Sequence, residues 1–396
     1  MADLTTISLR QKIRQIMLRI RSATPLKADL QWQKPVSCIS REDYLGNAKV
    51  KATSITLLPT GCEYAKVGGC TMCGEWSGSN KGMLIPAEFH VAQFTAACSS
   101  LLSREDIQWI RIYQEGSFIN EAEVERNAVE FILRLASNLR CIKRITIESR
   151  PEHVTLKNSK LIRSYVRLPV ELEIGIGLEA QDNFIRNICI GKGTKLSTYK
   201  RAVDNAHSNN IIALAYVLLK PPFLSEKEAL EEAVKSVEYA FEIGFDEVYI
   251  QAASIHEWSL SELMWFKELY TLPWLWSMFD VVKRTAHLGK VRIGGLEYFP
   301  PPSTTSQNYK DACGRFVCDC SKKGWQLIQE FNASLDIHLL SGITCECQTV
   351  WKTVLEETQS QSLYQRVTDI IEQVSVEDYL QIKDNQSNPK FYVVSR

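Results

Sequence analysis

Apolar and polar positions follow two rhythms along this chain. Near the start, Leu9, Ile13, Ile16, Met17 and Ile20 recur at helical spacing with basic residues between them, which predicts an amphipathic helix laid on the body of the protein. Further on, short apolar or β-branched runs take over at residues 54–58, 109–113, 144–148, 171–178, 212–218 and 247–251. Helical stretches separate them. One runs over 86–102 with Pro86 at its first position, one opens at Asn120 as N-cap with Glu121 and Glu123 in its first turn, and one covers 225–243. Strands that alternate with helices imply parallel βαβ units. Six of them predict an α/β architecture, a partial (β/α)6 TIM-like barrel with function at the strands' carboxyl ends. Residues 1–50 then form an N-terminal helical extension, 51–260 the barrel, and 261–396 a cysteine-rich C-terminal region.

Composition narrows the picture. The chain has 396 residues, 45% of them hydrophobic, enough for a sizeable core. Lys+Arg and Asp+Glu both number 46, so no global field draws in nucleic acid. The apolar run 211–219 is too short to span a membrane, and the start of the chain lacks a signal-peptide core. Twelve cysteines in that setting point to a reducing, cytoplasmic location and to metal chemistry rather than a disulfide framework.

The first cysteine group follows the first predicted strand: Gly61-Cys62, then Gly68-Gly69-Cys70-Thr71-Met72-Cys73-Gly74. Three thiolates from Cys62, Cys70 and Cys73 suit three irons of a 4Fe–4S cluster and leave the fourth iron open to a small molecule. A zinc site is the competing reading, but it wants a fourth ligand, and the loop offers no other cysteine or histidine. The second group, Cys313, Cys318, Cys320, Cys345 and Cys347, places five cysteines within 35 residues. Four of them would close a structural zinc site; a second iron–sulfur cluster or five free thiols are the alternatives.

A cluster loop after a first strand is the layout of radical S-adenosylmethionine (radical SAM) enzymes. On that reading the strand ends form the cofactor pocket. Met72 and Gly74 lie in the loop, and Gly116-Ser117 offers backbone carbonyls to the cofactor's amino group. Glu148 accepts from ribose hydroxyls, and Arg150 presents a planar donor fork to the carboxylate. Glu179 and Lys220 are weaker candidates for substrate contacts, or else surface charges.

The resemblance becomes specific in Gly69-Cys70-Thr71-Met72-Cys73-Gly74, Gly116-Ser117-Phe118, Glu148-Ser149-Arg150-Pro151, Gly175-Ile176-Gly177-Leu178-Glu179, the stretch 218–229 and Trp274-Leu275-Trp276-Ser277. These segments, spread over about residues 53–350, resemble the radical SAM lyase of archaeosine synthesis, in the wider group of the elongator catalytic subunit and methylthiotransferases. The chain departs from the usual radical SAM loop in the longer gap between Cys62 and Cys70 and in Met72, where an aromatic residue is usual. The resemblance implies a 5′-deoxyadenosyl radical that removes hydrogen from a substrate, fed by an electron donor. Two substrates compete. The leading expectation is a peptide splicease that excises a tyramine-equivalent from a ribosomally made precursor and leaves a β-amino acid unit, aided by a small peptide-recognition partner. The alternative is a transfer RNA lyase that cleaves a lysine carbon–nitrogen bond beside a transglycosylase-like partner. A non-catalytic scaffold is the third reading.

Overall fold

The computed structural model describes residues 4–26, 30–46, 48–99, 106–294 and 320–386. One mixed sheet organises them. β1 (Ser37–Leu45) and β2 (Ala48–Thr56) form an antiparallel hairpin. From β2 the sheet continues in parallel through β3 (Ile107–Tyr113), β4 (Arg144–Ser149), β5 (Glu171–Glu179), β6 (Ile211–Leu219), β7 (Glu247–Ala252) and β8 (Lys290–Gly294). Each strand pairs with its neighbour in sequence, so the sheet curls as an open, partial barrel.

Helices pack around it: α1 (Leu4–Ala23), α2 (Ala87–Ser99), α3 (Arg126–Asn138), α4 (Leu156–Tyr165), α5 (Leu196–His207), α6 (Glu226–Glu242), α7 (Leu260–Phe266) and α8 (Leu275–Thr285). Of these, α1 and α7 pack against each other in a second apolar core beside the loop after β2, and the others pack on the main core. The C-terminal region adds α9 (Cys320–Ser334), α10 (Cys347–Glu356), α11 (Leu363–Gln373) and α12 (Val376–Gln386). None of the described helices is long and apolar enough to cross a membrane.

The strands alternate because the two faces of the sheet differ. Ile110, Ile112, Ile145, Ile147, Ile174 and Ile176 face the helices and form the main apolar core. The intervening positions face the concave side and carry charge. There Arg144 contacts Glu173 at 3.0 Å and Glu247 at 3.3 Å, and Arg111 pairs with Asp43 at 2.5 Å. The Arg111 guanidinium stacks on the Trp109 ring, and Trp109 Nε1 donates to Thr146.

The structure differs from the sequence expectation in four places. The first parallel strand is Ala48–Thr56 rather than 54–58, because its polar first half pairs with β1. β1 was not expected: it is a polar edge strand without alternation. β8 was not expected either, being only five residues long. The helix expected at Asn120 begins at Arg126, because residues 120–125 form a turn around the buried carboxylate of Glu123.

Candidate active site

The cysteine loop leaves the carboxyl end of β2. Cys62 precedes a short 3-10 turn (Glu63–Val67), and Cys70 and Cys73 follow. α1 grips this loop. Its buried Leu9, Ile13, Met17 and Ile20 seat it on the body, and Arg21 lies on the same face. Arg21 Nε donates to the Gly68 carbonyl at 2.6 Å, and Nη2 donates to the carbonyls of Cys70 and Cys73, both at 3.3 Å. Gly69 is required here: its φ is +69°, and a Cβ would sit 2.8 Å from Arg21 Nη2. Thr71 ties the loop to the π-helical turn Ile185–Cys189, with Oγ1 donating to the Cys189 carbonyl at 2.6 Å. Gly74 packs against the Glu257 backbone, and Met72 and Cys70 lie against a second apolar core built from α1, residues 185–190 and α7.

The next strand ends fold around the loop. Glu148 Oε1 accepts the backbone N–H groups of Gln114 and Glu115 at 3.0 and 2.8 Å. Ser117 N donates to Glu123 Oε2 at 2.6 Å, and the Ser117 hydroxyl accepts the N–H of Arg150 at 3.0 Å. Glu123 Oε1 also accepts the N–H of Glu63 at 3.0 Å, so one buried carboxylate joins the cysteine loop to the Gly116 turn. Gly116 is the second position that demands glycine, since a Cβ there would collide with that carboxylate. Arg150 stacks over the Tyr64 ring at 4.1 Å. Its Nε donates to Glu152 at 2.5 Å and its Nη2 to the Lys192 carbonyl at 2.8 Å. Glu179 pairs with Lys192 at 2.9 Å, and Lys220 donates to Glu226 and Thr271, each at 2.8 Å. Neither Glu179 nor Lys220 is a surface charge. Glu115, Glu179 and Lys220, at the ends of β3, β5 and β6, all adopt left-handed backbone (φ 58°, 63° and 66°), the kind of local strain that gathers at functional sites.

Electrostatics divide the site. Burial pushes the Cys62 thiol up to about 11 and the Cys73 thiol up to about 12; nearby Glu123 adds to the first, while Arg150 and Arg21 oppose the rise. Arg21 Nη1 is buried without an acceptor among the described residues. The pair of guanidinium groups and the orphaned donor fit an anionic, thiolate-held cluster at this loop. Opposite lies an acidic group. Burial raises Glu148 to about 7 against its three backbone donors, with the Glu75 charge adding to the rise. Burial, Glu75 and Glu148 together hold Glu115 well above the usual carboxylate range. His256 Nδ1 lies 3.0 Å from Glu75; burial would lower this imidazole, but Glu75 outweighs it and the net shift is upward.

The fold thus brings Cys62, Cys70, Cys73, Met72, Gly74, Gly116, Ser117, Glu148 and Arg150 to one end of the barrel, with the Glu179–Lys192 pair beside Arg150. Cys320, Cys345 and Cys347 form a separate group outside the barrel, and Cys313 and Cys318 lie outside the described residues. Sequence reasoning missed Arg21, Tyr64, Glu123 and Lys192. Arg21 had a signal, since it stands four residues after Met17 on the buried stripe. The other three depend on contacts across distant strands.

No family model matches the chain. An uncharacterised protein of Methanocaldococcus jannaschii is 31% identical over 327 residues, 82% of this chain and 87% of the relative. The archaeosine synthase subunit beta of Methanosarcina acetivorans is 26% identical over 346 residues, 87% of this chain and 96% of that one. Among solved structures, an N-terminally truncated Elp3 of Methanocaldococcus infernus matches 61% of this chain and 59% of its own at 13% identity, with a TM-score of 0.45. Long alignment with these relatives, along a chain whose cysteine loop is gripped at the mouth of an open parallel barrel, establishes that it belongs to the radical SAM enzymes related to archaeosine synthase subunit beta.

Proposed function

We propose that this chain fragments a carbon–nitrogen bond of a lysine-type adduct carried on transfer RNA, together with a partner subunit. The carrying observation is the alignment with archaeosine synthase subunit beta along 87% of this chain. Cys62, Cys70 and Cys73 would hold a 4Fe–4S cluster, with S-adenosylmethionine beside it. When bound, that pair supplies a one-electron cleavage of the cofactor and the 5′-deoxyadenosyl radical that takes hydrogen from the substrate.

The residues of the chain position and shield. Arg21 and Arg150 place positive charge by the thiolates. Glu148 and Glu123 fix the backbone of residues 114–117, so that Gly116 and Ser117 present their carbonyls in a set direction. Glu75, Glu115 and Glu148 crowd three carboxyl groups into the mouth, where burial holds Glu115 and Glu148 up; a cationic group such as a sulfonium or a substrate ammonium would favour their ionised forms. The Glu179–Lys192 pair and Lys220 stand on the substrate side as positioning groups.

The zero net charge of the chain favours a second reading, the peptide splicease, because it works against binding a phosphate backbone without a partner. Anaerobically reconstituted protein, incubated with reductant, S-adenosylmethionine and either lysine-modified transfer RNA or a precursor peptide, separates the two. The RNA reading expects 5′-deoxyadenosine formation coupled to RNA cleavage, and RNA binding that weakens by about 10³-fold or more between roughly 50 and 200 mM salt if it rests on six or more phosphate contacts. Turnover with the peptide alone would replace it. A Cys62/Cys70/Cys73→Ala variant that still cleaves the cofactor would overturn the radical reading altogether.

A further inference from the structure

Outside the barrel, three thiols converge from separate elements. The sulfurs of Cys320, Cys345 and Cys347 all lie within 4.8 Å of one another, with Cys320 and Cys347 3.4 Å apart. The geometry points to a structural zinc site formed by these three residues, one that pins α9 across the open seam of the barrel.

Spacing selects the metal. Zinc–sulfur bonds of about 2.3 Å in a tetrahedron place neighbouring sulfurs about 3.8 Å apart. The observed group is that tight. A four-iron cluster holds its thiolates on different irons and therefore farther apart. Consistent with this, among the described residues Cys62, Cys70 and Cys73 do not form such a 4.8 Å group. A disulfide, at about 2.05 Å, would use two of the three sulfurs and leave the third without a role.

The surroundings favour thiolate. Cys347 is the first residue of α10, and its sulfur accepts a hydrogen bond from Trp276 Nε1 at 3.3 Å. A helix N-terminus and an N–H donor both stabilise a coordinated thiolate. Cys320 is buried in the main core at the start of α9 as described. The three thiols supply three of the four tetrahedral positions of a structural zinc site.

The position gives the site its purpose. α9 lies against both β1 and β8, the two edges the sheet leaves open. Asn332 of α9 acts as a substitute strand: its Oδ1 accepts the Ile293 N–H at 2.9 Å, and its Nδ2 donates to the Ile293 carbonyl at 2.7 Å. From α10, Trp351 Nε1 donates to Ser277 at 2.9 Å, and Ser277 donates to Glu226, the partner of Lys220. An ion at the thiols therefore fastens the seam helix and, through α8, the strand end that carries Lys220.

Elemental analysis of the full chain, purified without chelator from zinc-supplemented cells, tests this. About one zinc per chain is expected, retained in Cys62/Cys70/Cys73→Ala and lost in Cys347→Ser together with a lower melting temperature. Trp276→Phe should keep the zinc but bind it about tenfold to a hundredfold more weakly, the usual effect of removing an outer-shell partner. If Cys347→Ser does not fold, cobalt added to the zinc-stripped Cys62/Cys70/Cys73→Ala chain answers instead: thiolate-to-cobalt absorption, with tryptophan quenching that Trp276→Phe diminishes, supports the site. Failure of cobalt to produce either signal overturns it. Zinc absent from the wild type or unmoved by Cys347→Ser, or roughly eight irons per chain without zinc, also overturns it.

Discussion

Arg21 and Glu123 fasten the same cysteine loop, one as donor to its carbonyls and the other as acceptor of the Glu63 N–H. Neither is a cysteine neighbour in sequence, and each would be read alone as a charged residue of a helix. A buried guanidinium with one nitrogen lacking an acceptor among the described residues is costly unless something anionic occupies the space beside it. Reduction adds negative charge to a thiolate-held cluster, so a nearby cation favours the reduced form. Arg21→Gln should therefore lower the cluster's midpoint potential, on the order of 60 mV for a tenfold shift in the one-electron equilibrium, while Arg21→Lys stays nearer wild type. An EPR-monitored redox titration, with iron content as the folding control, measures it. An unchanged potential at full iron occupancy would show that Arg21 only ties down the loop.

At the level of elements, the open barrel faces an edge-strand problem. β8 is five residues long and ends the sheet, and its exposed backbone would invite pairing with another chain. A side-chain amide on α9 satisfies both polar groups of Ile293, so helix and strand are joined without a further strand. Asn332→Ala leaves that buried N–H and carbonyl unpaired and should destabilise the fold by about 1–3 kcal/mol, read by chemical denaturation. A change below a few tenths of a kcal/mol would mean that another group covers the edge. Elsewhere the local signals worked as written. Ser225 caps α6 in a reciprocal capping box with Glu228, which is why the start of that helix was legible from sequence.

For the whole molecule, the unusual feature is a charged interior. Glu173 and Glu247 share Arg144 inside the barrel, and burial, against the opposing Arg144 charge, raises Glu173 from 4.5 to about 7. The folded state then binds more protons than the unfolded state between those two values, so this group makes stability fall as pH rises through the window. Stability measured from about pH 4.5 to pH 7 should show a component on the order of 1–3 kcal/mol that Glu173→Gln removes. Parallel slopes for wild type and variant would assign the dependence to other groups. The same alternation that creates this interior also puts Glu148, Gly175, Gly177 and Glu179 on the inner face, so the lumen and the site are two ends of one polar column.

The sequence by itself determined the parallel βα alternation and the cysteine loop, because both are written in local patterns: period-two runs, helix caps, and three thiols spaced among glycines. It also showed that the interesting residues sit at strand ends. The tertiary structure decided everything that depends on distant chain segments meeting. α1 lends Arg21 to a loop some fifty positions away, Glu123 leaves its expected helix to bridge two loops, and Arg150 stacks on Tyr64. Lys220, legible only as a charge near a strand end, is drawn into a buried pair with Glu226. Among the five late cysteines, only folding showed that Cys320, Cys345 and Cys347 meet. Periodicity reports which face of an element is buried; it carries no information about which partner that face will find, and in this protein the partners make the site.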